Sequence, residues 1–305
     1  MPPSTKKNRG YLALFLTSTL WGTTWVVSKV GIREIPALQL TAIRQFVAGL
    51  CFVLFFMIVK KYPLPNRYQI RRMFIVCLFM FVAANGLSTW GLNYIPTGLG
   101  ALIGALYPLS VVLIDRIFYK GRKILPLTMI GFLLGIIGMV IVFYENIRLT
   151  GNHLFWFGLA LSLIAMLSWS LGTIFVTRKT FTINPYYGIG WQMLMSSVVL
   201  HGMSYLLQDP VPVSTISWKG WASVLYLVII GSVVAFAAFI YSTKKLPMAI
   251  ASLYAYINPL VAMLLAAWLL NEKLTIHILY GATFTLVGVF LVNYSARKTD
   301  TKKSN

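Results

Sequence analysis

The residues with the greatest capacity for chemistry are polar side chains inside long apolar runs, because a polar group there is costly and usually has a function. Arg44 is the only basic residue well inside an apolar run. Its planar guanidinium can bind a substrate carboxylate or phosphate through two parallel hydrogen bonds. Alternatively, loop carbonyl groups and Glu34 neutralise Arg44 as a structural lock. Asn85, Ser88 and Thr89 share one helical stripe, at spacings of three and four residues, and are further binding candidates.

Aromatic and small polar side chains in other apolar runs form a second group of candidates. Phe236 stands 151 residues after Asn85, an interval that recurs along the chain. If both runs face one cavity, its wall is polar on one side and aromatic on the other, which suits small amphipathic organic molecules. The alternative for the polar stripe is hydrogen bonding between helices. The other predicted lining residues are Trp25, Ser28, Tyr107, Trp169, Thr173, Tyr254 and Asn258.

Residues that could catalyse a reaction or bind a metal are scattered in the sequence. His153, His201 and His277 are far apart, and all six acidic residues lie in loops, in tails or near the ends of apolar runs. A membrane-embedded enzyme needs a nucleophile and a base, or several metal ligands, close together. We therefore predict no catalytic residue, no metal site and no cofactor.

The composition indicates a membrane protein. Of the 305 residues, 58% are hydrophobic and 10% are charged, whereas soluble globular domains are roughly 25% charged. A helix needs about 20 apolar residues to cross the hydrocarbon core of a bilayer. Ten runs near that length predict an all-α integral membrane fold with ten transmembrane helices. The runs are 11–30, 37–59, 73–93, 98–118, 126–144, 154–177, 186–207, 221–242, 248–270 and 276–294.

The basic residues are unevenly distributed between the loops. The formal net charge is +20, and most lysines and arginines lie in the two tails and in alternate loops such as 60–72 and 116–123. Short loops rich in Lys and Arg stay in the cytoplasm. The pattern predicts a multi-pass protein of the plasma (inner) membrane with both termini cytoplasmic. Because the charges are not gathered on one soluble face, nucleic acid is not expected as a partner.

The two halves of the chain share one pattern of apolar runs. Residues 93–143 and 244–294 each hold two runs, and Pro108 of the first stretch matches Pro259 of the second. We predict two five-helix repeats, and because five is odd, the second repeat is inverted relative to the first. Inverted copies can exchange conformations, which exposes a site between them to each side in turn. The predicted repeats are residues 1–148 and 149–305.

Pro108 and Pro259 lie in the middle of their apolar runs. A proline inside a helix removes one N–H donor and frees the carbonyl oxygen four residues earlier, here at Gly104 and Ala255. In a membrane that oxygen needs a neighbouring helix, a water or a ligand. We interpret the two prolines as a pair of hinges beside the substrate path, and a static kink is the alternative.

Three stretches of the sequence resemble the EamA-type members of the drug/metabolite transporter superfamily. They are WGTTWVVSKVG with Arg44 after it, YIPTGLGALIGALYPL, and LPMAIASLYAYINPLVAMLLAAWLLNEKLT. The resemblance implies ten helices, a central cavity lined by spans 1, 3, 4, 6, 8 and 9, and transport of small metabolites such as amino acids, often outward. A small-molecule substrate and the lipid bilayer are the expected partners, and the oligomeric state stays open.

One position in the repeated pattern differs between the halves. Glu272 is the acid of the turn NEKLT, whereas the matching turn YKGRK has Gly121. A group that couples transport to protons must lie near the middle of the membrane. We therefore expect Glu272 to hold a helix end or an interface rather than to couple transport.

These observations together predict an alternating-access transporter of small organic metabolites. We expect it to export its substrate, and to work without proton coupling because no convincing protonatable group lies mid-membrane. The alternatives are a membrane-embedded enzyme and a membrane assembly partner that transports nothing.

Overall fold

A computed structural model describes residues 3–119, 125–150, 153–178, 183–246, 250 and 253–304. The regular elements among these residues are helices, because an apolar segment in hydrocarbon must pair its own backbone N–H and C=O groups. A short 3-10 turn, Val213–Thr215, lies between two of them. The α-helices are α1 (Pro3–Gly31), α2 (Ala37–Leu54), α3 (Arg67–Cys77), α4 (Ser88–Gly91), α5 (Thr97–Gly104), α6 (Tyr107–Tyr119), α7 (Pro126–Thr150), α8 (His153–Arg178), α9 (Pro185–Leu207), α10 (Trp218–Tyr226), α11 (Ala235–Lys245), α12 (Tyr254–Leu270) and α13 (Ile276–Ser304).

The prediction of ten membrane-spanning helices is wrong. Within the described part of the chain, seven helices are long and apolar enough to cross a membrane. Helix α12 has 17 residues, fewer than the ~20 that a span needs. In helices α1 and α9, many Ser, Thr, Trp, Tyr or Gln side chains lie between the apolar residues, so the mean hydropathy of these helices is lower. The seven helices are Ala37–Val59, Arg67–Gly91, Thr97–Phe118, Pro126–Leu149, His153–Val176, Trp218–Lys245 and Ile276–Ser295.

Three π-helical segments continue or join the α-helices. Phe55–Val59 extends α2, Leu78–Leu87 joins α3 to α4, and Leu227–Val234 joins α10 to α11. π-helical turns are frequent at functional sites. The second and third segments occupy matching places in the two halves of the chain, and the second borders the cavity described below.

Glycines allow the closest contacts between helices of the two halves. A Cβ added to Gly131 of α7 would lie 2.7 Å from the carbonyl oxygen of Gly288 of α13, and one added to Gly281 would lie 2.7 Å from that of Gly138. The earlier residue on each helix therefore faces the later residue on the other, so α7 and α13 are antiparallel. Small residues that bring backbones together are a common basis of helix association in membranes.

The buried apolar side chains form two main clusters. The larger lies around α1, α2, α9 and the π-helical segments, with Phe81 and Tyr187 among its most buried members. The second lies between α5, α7, α8, α12 and α13 and includes Leu102 and Phe155. Each cluster joins helices from both halves of the chain, so packing ties the halves together.

Glu272 lies in the turn between α12 and α13 and reaches the N-terminus of α5. Its carboxylate accepts hydrogen bonds from the backbone amides of Thr97 at 2.7 Å and Gly98 at 3.1 Å. A carboxylate stabilises a helix N-terminus because the first amides of the helix have no partner within it. The expectation that Glu272 holds a helix end is confirmed, whereas its counterpart Gly121 lies outside the described residues.

Lys29 attaches the end of α1 to the connection between α4 and α5. Its half-buried ammonium group donates hydrogen bonds to the carbonyl oxygens of Leu92 and, at 3.2 Å, of Ile95. Lys29 therefore holds the segment between α4 and α5 through its carbonyl oxygens, and Glu272 holds the start of α5 through its amides.

Candidate functional site

A cavity of about 180 Å³ lies between helices from both halves of the chain. Its wall comes from α1, α2, the α3–α4 region, α5 and α6 of the first half, and from α8, α11 and α12 of the second. Eleven of the twelve residues predicted to bind substrate lie in this wall. They are Trp25, Ser28, Arg44, Asn85, Ser88, Thr89, Tyr107, Trp169, Phe236, Tyr254 and Asn258. Their role in binding stays a prediction.

One of the predicted lining residues and one of the predicted hinges lie outside the cavity wall. Thr173 is one turn beyond Trp169 on α8, and its hydroxyl donates to the Trp169 carbonyl at 2.8 Å. Of the two prolines, Pro259 lies in the wall and Pro108 does not. Thr173 was selected because it matches a position in the first half of the chain. Such a match predicts the face of α8 on which a residue lies, but not how far along the helix the cavity extends.

Arg44 is a buried cation in the cavity wall, with 9% of its surface exposed. Its Nε donates a hydrogen bond to the hydroxyl of Ser232, in the π-helical segment Leu227–Val234, at 2.8 Å. No other hydrogen bond or ion pair of the guanidinium is found among the described residues. Glu34 does not neutralise Arg44, because its carboxylate accepts a hydrogen bond from Ser217 instead. The charge of Arg44 therefore faces the cavity without a carboxylate partner.

Two residues of the polar stripe beside Arg44, Asn85 and Ser88, make hydrogen bonds within their own helix. The Asn85 amide donates to the carbonyl oxygen of Met80 at 2.7 Å, a spacing of five residues that belongs to the π-helical segment. Ser88 donates to the carbonyl oxygen of Asn85 at 3.1 Å. These bonds satisfy donors and leave acceptor lone pairs on the amide and hydroxyl oxygens. Among the described residues, Asn85 and Ser88 therefore do not make the hydrogen bonds between helices that were the alternative to a role in binding.

Several aromatic rings of the cavity wall pack against one another. The Trp21 ring packs 5.0 Å from Phe236, 5.1 Å from Phe239 and 5.3 Å from Tyr254, measured between ring centroids. The Tyr254 hydroxyl donates to that of Tyr107 at 3.0 Å.

The helix that carries Pro108 is broken beside the cavity. Helix α5 ends at Gly104, and α6 begins at Tyr107, one residue before the proline. Pro259, in contrast, lies inside the continuous helix α12. Gly104 and Ala255, the residues whose carbonyl groups the prolines free, both line the cavity. Broken helices at a binding site are a feature of many transporters.

The glycines of TGLGALIG make room for a tryptophan. A Cβ added to Gly100 or Gly104 would lie 3.2 Å or 3.3 Å from the ring of Trp25, which is tighter than ordinary contact. The absence of side chains at these two positions of α5 therefore lets the indole of Trp25 pack closely against the helix.

Sequence reasoning missed one residue of the cavity wall and the hydrogen-bond partner of Arg44. Ser162 lies on α8 in the same helical stripe as Trp169, seven residues earlier, and its position was available from that spacing. Ser232, the partner of Arg44, was not available from any pattern, because it depends on the packing of α2 against a π-helical segment.

The chemistry of the wall is that of a binding site with one charge. Among the described residues, no Asp, Glu, His or Cys lines the cavity, and no three such residues lie together as metal ligands do. One arginine, several hydroxyl and amide groups and many aromatic rings remain. Such a surface can hold a small amphipathic molecule and orient its anionic group.

Three curated relatives have names that agree with a membrane transporter. The chain is 30% identical over 264 residues to an uncharacterized inner membrane transporter of Escherichia coli (strain K12), YedA, and the match covers 86% of this chain and 83% of the relative. It is 28% identical over 301 residues to the uncharacterized transporter sll0355 of Synechocystis, covering 93% and 90%. It is 24% identical to the uncharacterized transporter YoaV of Bacillus subtilis, covering 94% and 98%. None of these names gives a substrate.

A solved structure and a family description match nearly the whole chain. One crystal structure superposes with a TM-score of 0.64 at 17% identity, covering 97% of this chain and 99% of the other, which supports the fold alone. The EamA-like transporter family matches twice, over residues 8–144 and 156–294. Each match falls within one of the two halves. The chain is a membrane protein with several apolar helices, and it belongs to the EamA-like transporter family.

Proposed function

We propose that this protein carries small organic molecules across the membrane through the cavity, by alternating access between its two halves. The observation that carries the proposal is a cavity with walls from both halves and a buried arginine facing it. A site between two units can open to one side and then to the other when the units move against each other. Membership of a transporter family supports the same conclusion.

The moving units in this proposal are residues 1–148 and 149–305. The two family matches support this division, since each lies within one unit. The antiparallel contact of α7 with α13 joins corresponding helices of the units and supplies a close, glycine-based pivot. Pro108 and Pro259 are the proposed hinges, because each frees a carbonyl group at the cavity wall.

The proposed direction of transport is outward, across the inner membrane, with both termini in the cytoplasm. The distribution of basic residues supports the orientation, and the resemblance to metabolite exporters supports the direction. Transport is proposed to run down the substrate gradient. The support is that the acidic side chains in the described part of the chain all lie outside the cavity wall.

The test is transport by purified full-length protein in liposomes. Radiolabelled amino acids and organic acids are offered one at a time, and counterflow is measured against an excess of unlabelled compound inside. We expect saturable exchange of at least one compound that protein-free liposomes do not show. A pH gradient should not drive accumulation of a neutral compound. Absence of exchange by folded protein would contradict the transport proposal, and accumulation abolished by a protonophore would contradict the uncoupled mechanism.

A further inference from the structure

The indole of Trp25 lies directly on the backbone of α5 at two glycines of the cavity wall. A Cβ added to Gly100 would lie 3.2 Å from the ring carbon Cζ3, and one added to Gly104 would lie 3.3 Å from Cζ2. The added Cβ at Gly104 meets Trp25 and, among the described residues, no other residue from outside α5 within 4 Å. Any side chain at Gly104 therefore acts on the ring of Trp25 before it acts on anything else.

Trp25 lacks the contacts that hold the neighbouring tryptophan of α1 in place. The indole N–H of Trp21 donates to the carbonyl oxygen of Gly231 at 3.1 Å, and the Trp21 ring packs against three other rings. In the described part of the chain, the indole of Trp25 makes no hydrogen bond and no ring contact. Its half-buried ring lines the cavity. Close packing on the glycines of α5 is therefore what keeps the ring of Trp25 out of the cavity.

The cavity is small enough for the position of one large ring to decide what fits. Its volume of about 180 Å³ is the share of about six water molecules in the liquid, and many ligand pockets start at roughly 300 Å³. A packed interior tolerates extra volume poorly. Movement of the Trp25 indole into this space, or its removal, therefore changes a large part of the volume that a ligand can occupy.

We propose, on the basis of the transport function proposed above, that Trp25 determines the largest substrate that the cavity accepts. Held against Gly100 and Gly104, the indole leaves room beside Arg44 for an organic anion with one six-membered ring and excludes a second fused ring. Removal of the indole opens the glycine surface of α5 to the ligand. A side chain at Gly104 has the opposite effect, because it moves the ring of Trp25 inward.

The test compares two carboxylates that differ by one fused ring, phenylacetate and 2-naphthylacetate. Binding to purified full-length protein in nanodiscs is measured by titration calorimetry, with empty nanodiscs as the blank. We expect the wild type to bind phenylacetate roughly tenfold or more tightly than naphthylacetate, because the second ring must be forced into a filled space. In Trp25→Ala this preference should fall to about one or reverse, and the smaller ring of Trp25→Phe should give an intermediate value.

Trp90→Ala is the matched control for loss of a tryptophan. Trp90 is also half-buried, but it lies outside the cavity wall, so this variant should keep the wild-type preference. Thermal unfolding of each variant shows whether it is folded.

A double-mutant cycle tests whether Gly104 acts through Trp25. Gly104→Val should weaken phenylacetate binding roughly fivefold or more when Trp25 is present, because the added side chain pushes the indole into the cavity. In the Trp25→Ala background the same substitution should have little effect, since no ring remains to be displaced. Such non-additivity is the signature of two residues in direct contact.

Four results would overturn the inference. They are equal binding of the two carboxylates by the wild type, an unchanged preference in both Trp25 variants, an equal effect of Gly104→Val in the two backgrounds, and no binding of either carboxylate to folded protein. Transport is tested separately by exchange in liposomes. A carboxylate that binds in the expected order but is not exchanged contradicts transport and leaves the role of Trp25 intact.

Discussion

Gly138→Ala should destabilise the folded protein by roughly 1–3 kcal/mol, the usual cost of forcing extra volume into a packed interface. A Cβ at this position would lie 2.5 Å from the backbone nitrogen of Thr285 and would also meet the Gly281 carbonyl oxygen. Backbone atoms cannot rotate away as a flexible side chain can, so the two helices must separate. Loss of this contact weakens the proposed pivot between the two halves.

Gly202→Ala is the matched control for this substitution. Gly202 also lies inside a helix, α9, but no atom comes within 4 Å of an added Cβ. Alanine is favoured over glycine in a helix by about 1 kcal/mol, so this variant should be as stable as the wild type or more so. Reversible unfolding in detergent gives both free energies. Equal stability of the two variants would contradict the antiparallel packing of α7 and α13.

Arg44→Gln should lower the transport rate of anionic substrates roughly tenfold to a hundredfold, because a hydrogen bond from a charged donor is worth about 1.5–3 kcal/mol. Arg44 has one neutral partner, Ser232, so most of its donors are available to a ligand. Arg44→Lys should recover only part of the rate, since an ammonium group keeps the charge and loses the planar pair of donors. Initial rates in liposomes measure both effects.

Ser232→Ala distinguishes substrate binding by Arg44 from a structural role. This variant removes the one partner of the guanidinium found among the described residues and leaves its charge in place. Transport should fall much less than in Arg44→Gln, and the thermal unfolding temperature should separate loss of fold from loss of binding. If Arg44→Gln folds and transports anions at the wild-type rate, Arg44 has no substrate role.

The sequence predicted the membrane class and most of the cavity wall because both depend on local patterns. Polar and aromatic residues at helical spacing, such as Asn85 and Ser88, face one direction whatever the exact packing. Intervals between the halves then predicted which helices meet. This is why Tyr107 and Asn258, selected by their 151-residue interval, lie in the same wall.

The errors and omissions came from features that patterns do not encode. Counting apolar runs overestimated the number of spans. In α1, for example, Thr24, Trp25 and Ser28 line the cavity, and these side chains make the helix less apolar. Thr173 lies one turn beyond Trp169 on α8 and outside the cavity wall, and the spacing of residues does not predict where along a helix a cavity ends. The π-helical segment that presents Ser232 to Arg44 changes the register of its helix by local widening, which no spacing rule anticipates.

The most direct test of the central claim asks whether the cavity is the transport path. In a variant with Cys51→Ala and Cys77→Ala, Ser88→Cys places one thiol in the cavity wall, and Ser168→Cys places one outside it. A membrane-impermeant thiol reagent is added to transporting liposomes, with and without excess substrate. The path described here predicts that modification of Ser88→Cys stops transport and that substrate slows the modification, while Ser168→Cys is unaffected. A fully modified Ser88→Cys protein that transports at its unmodified rate would contradict the claim.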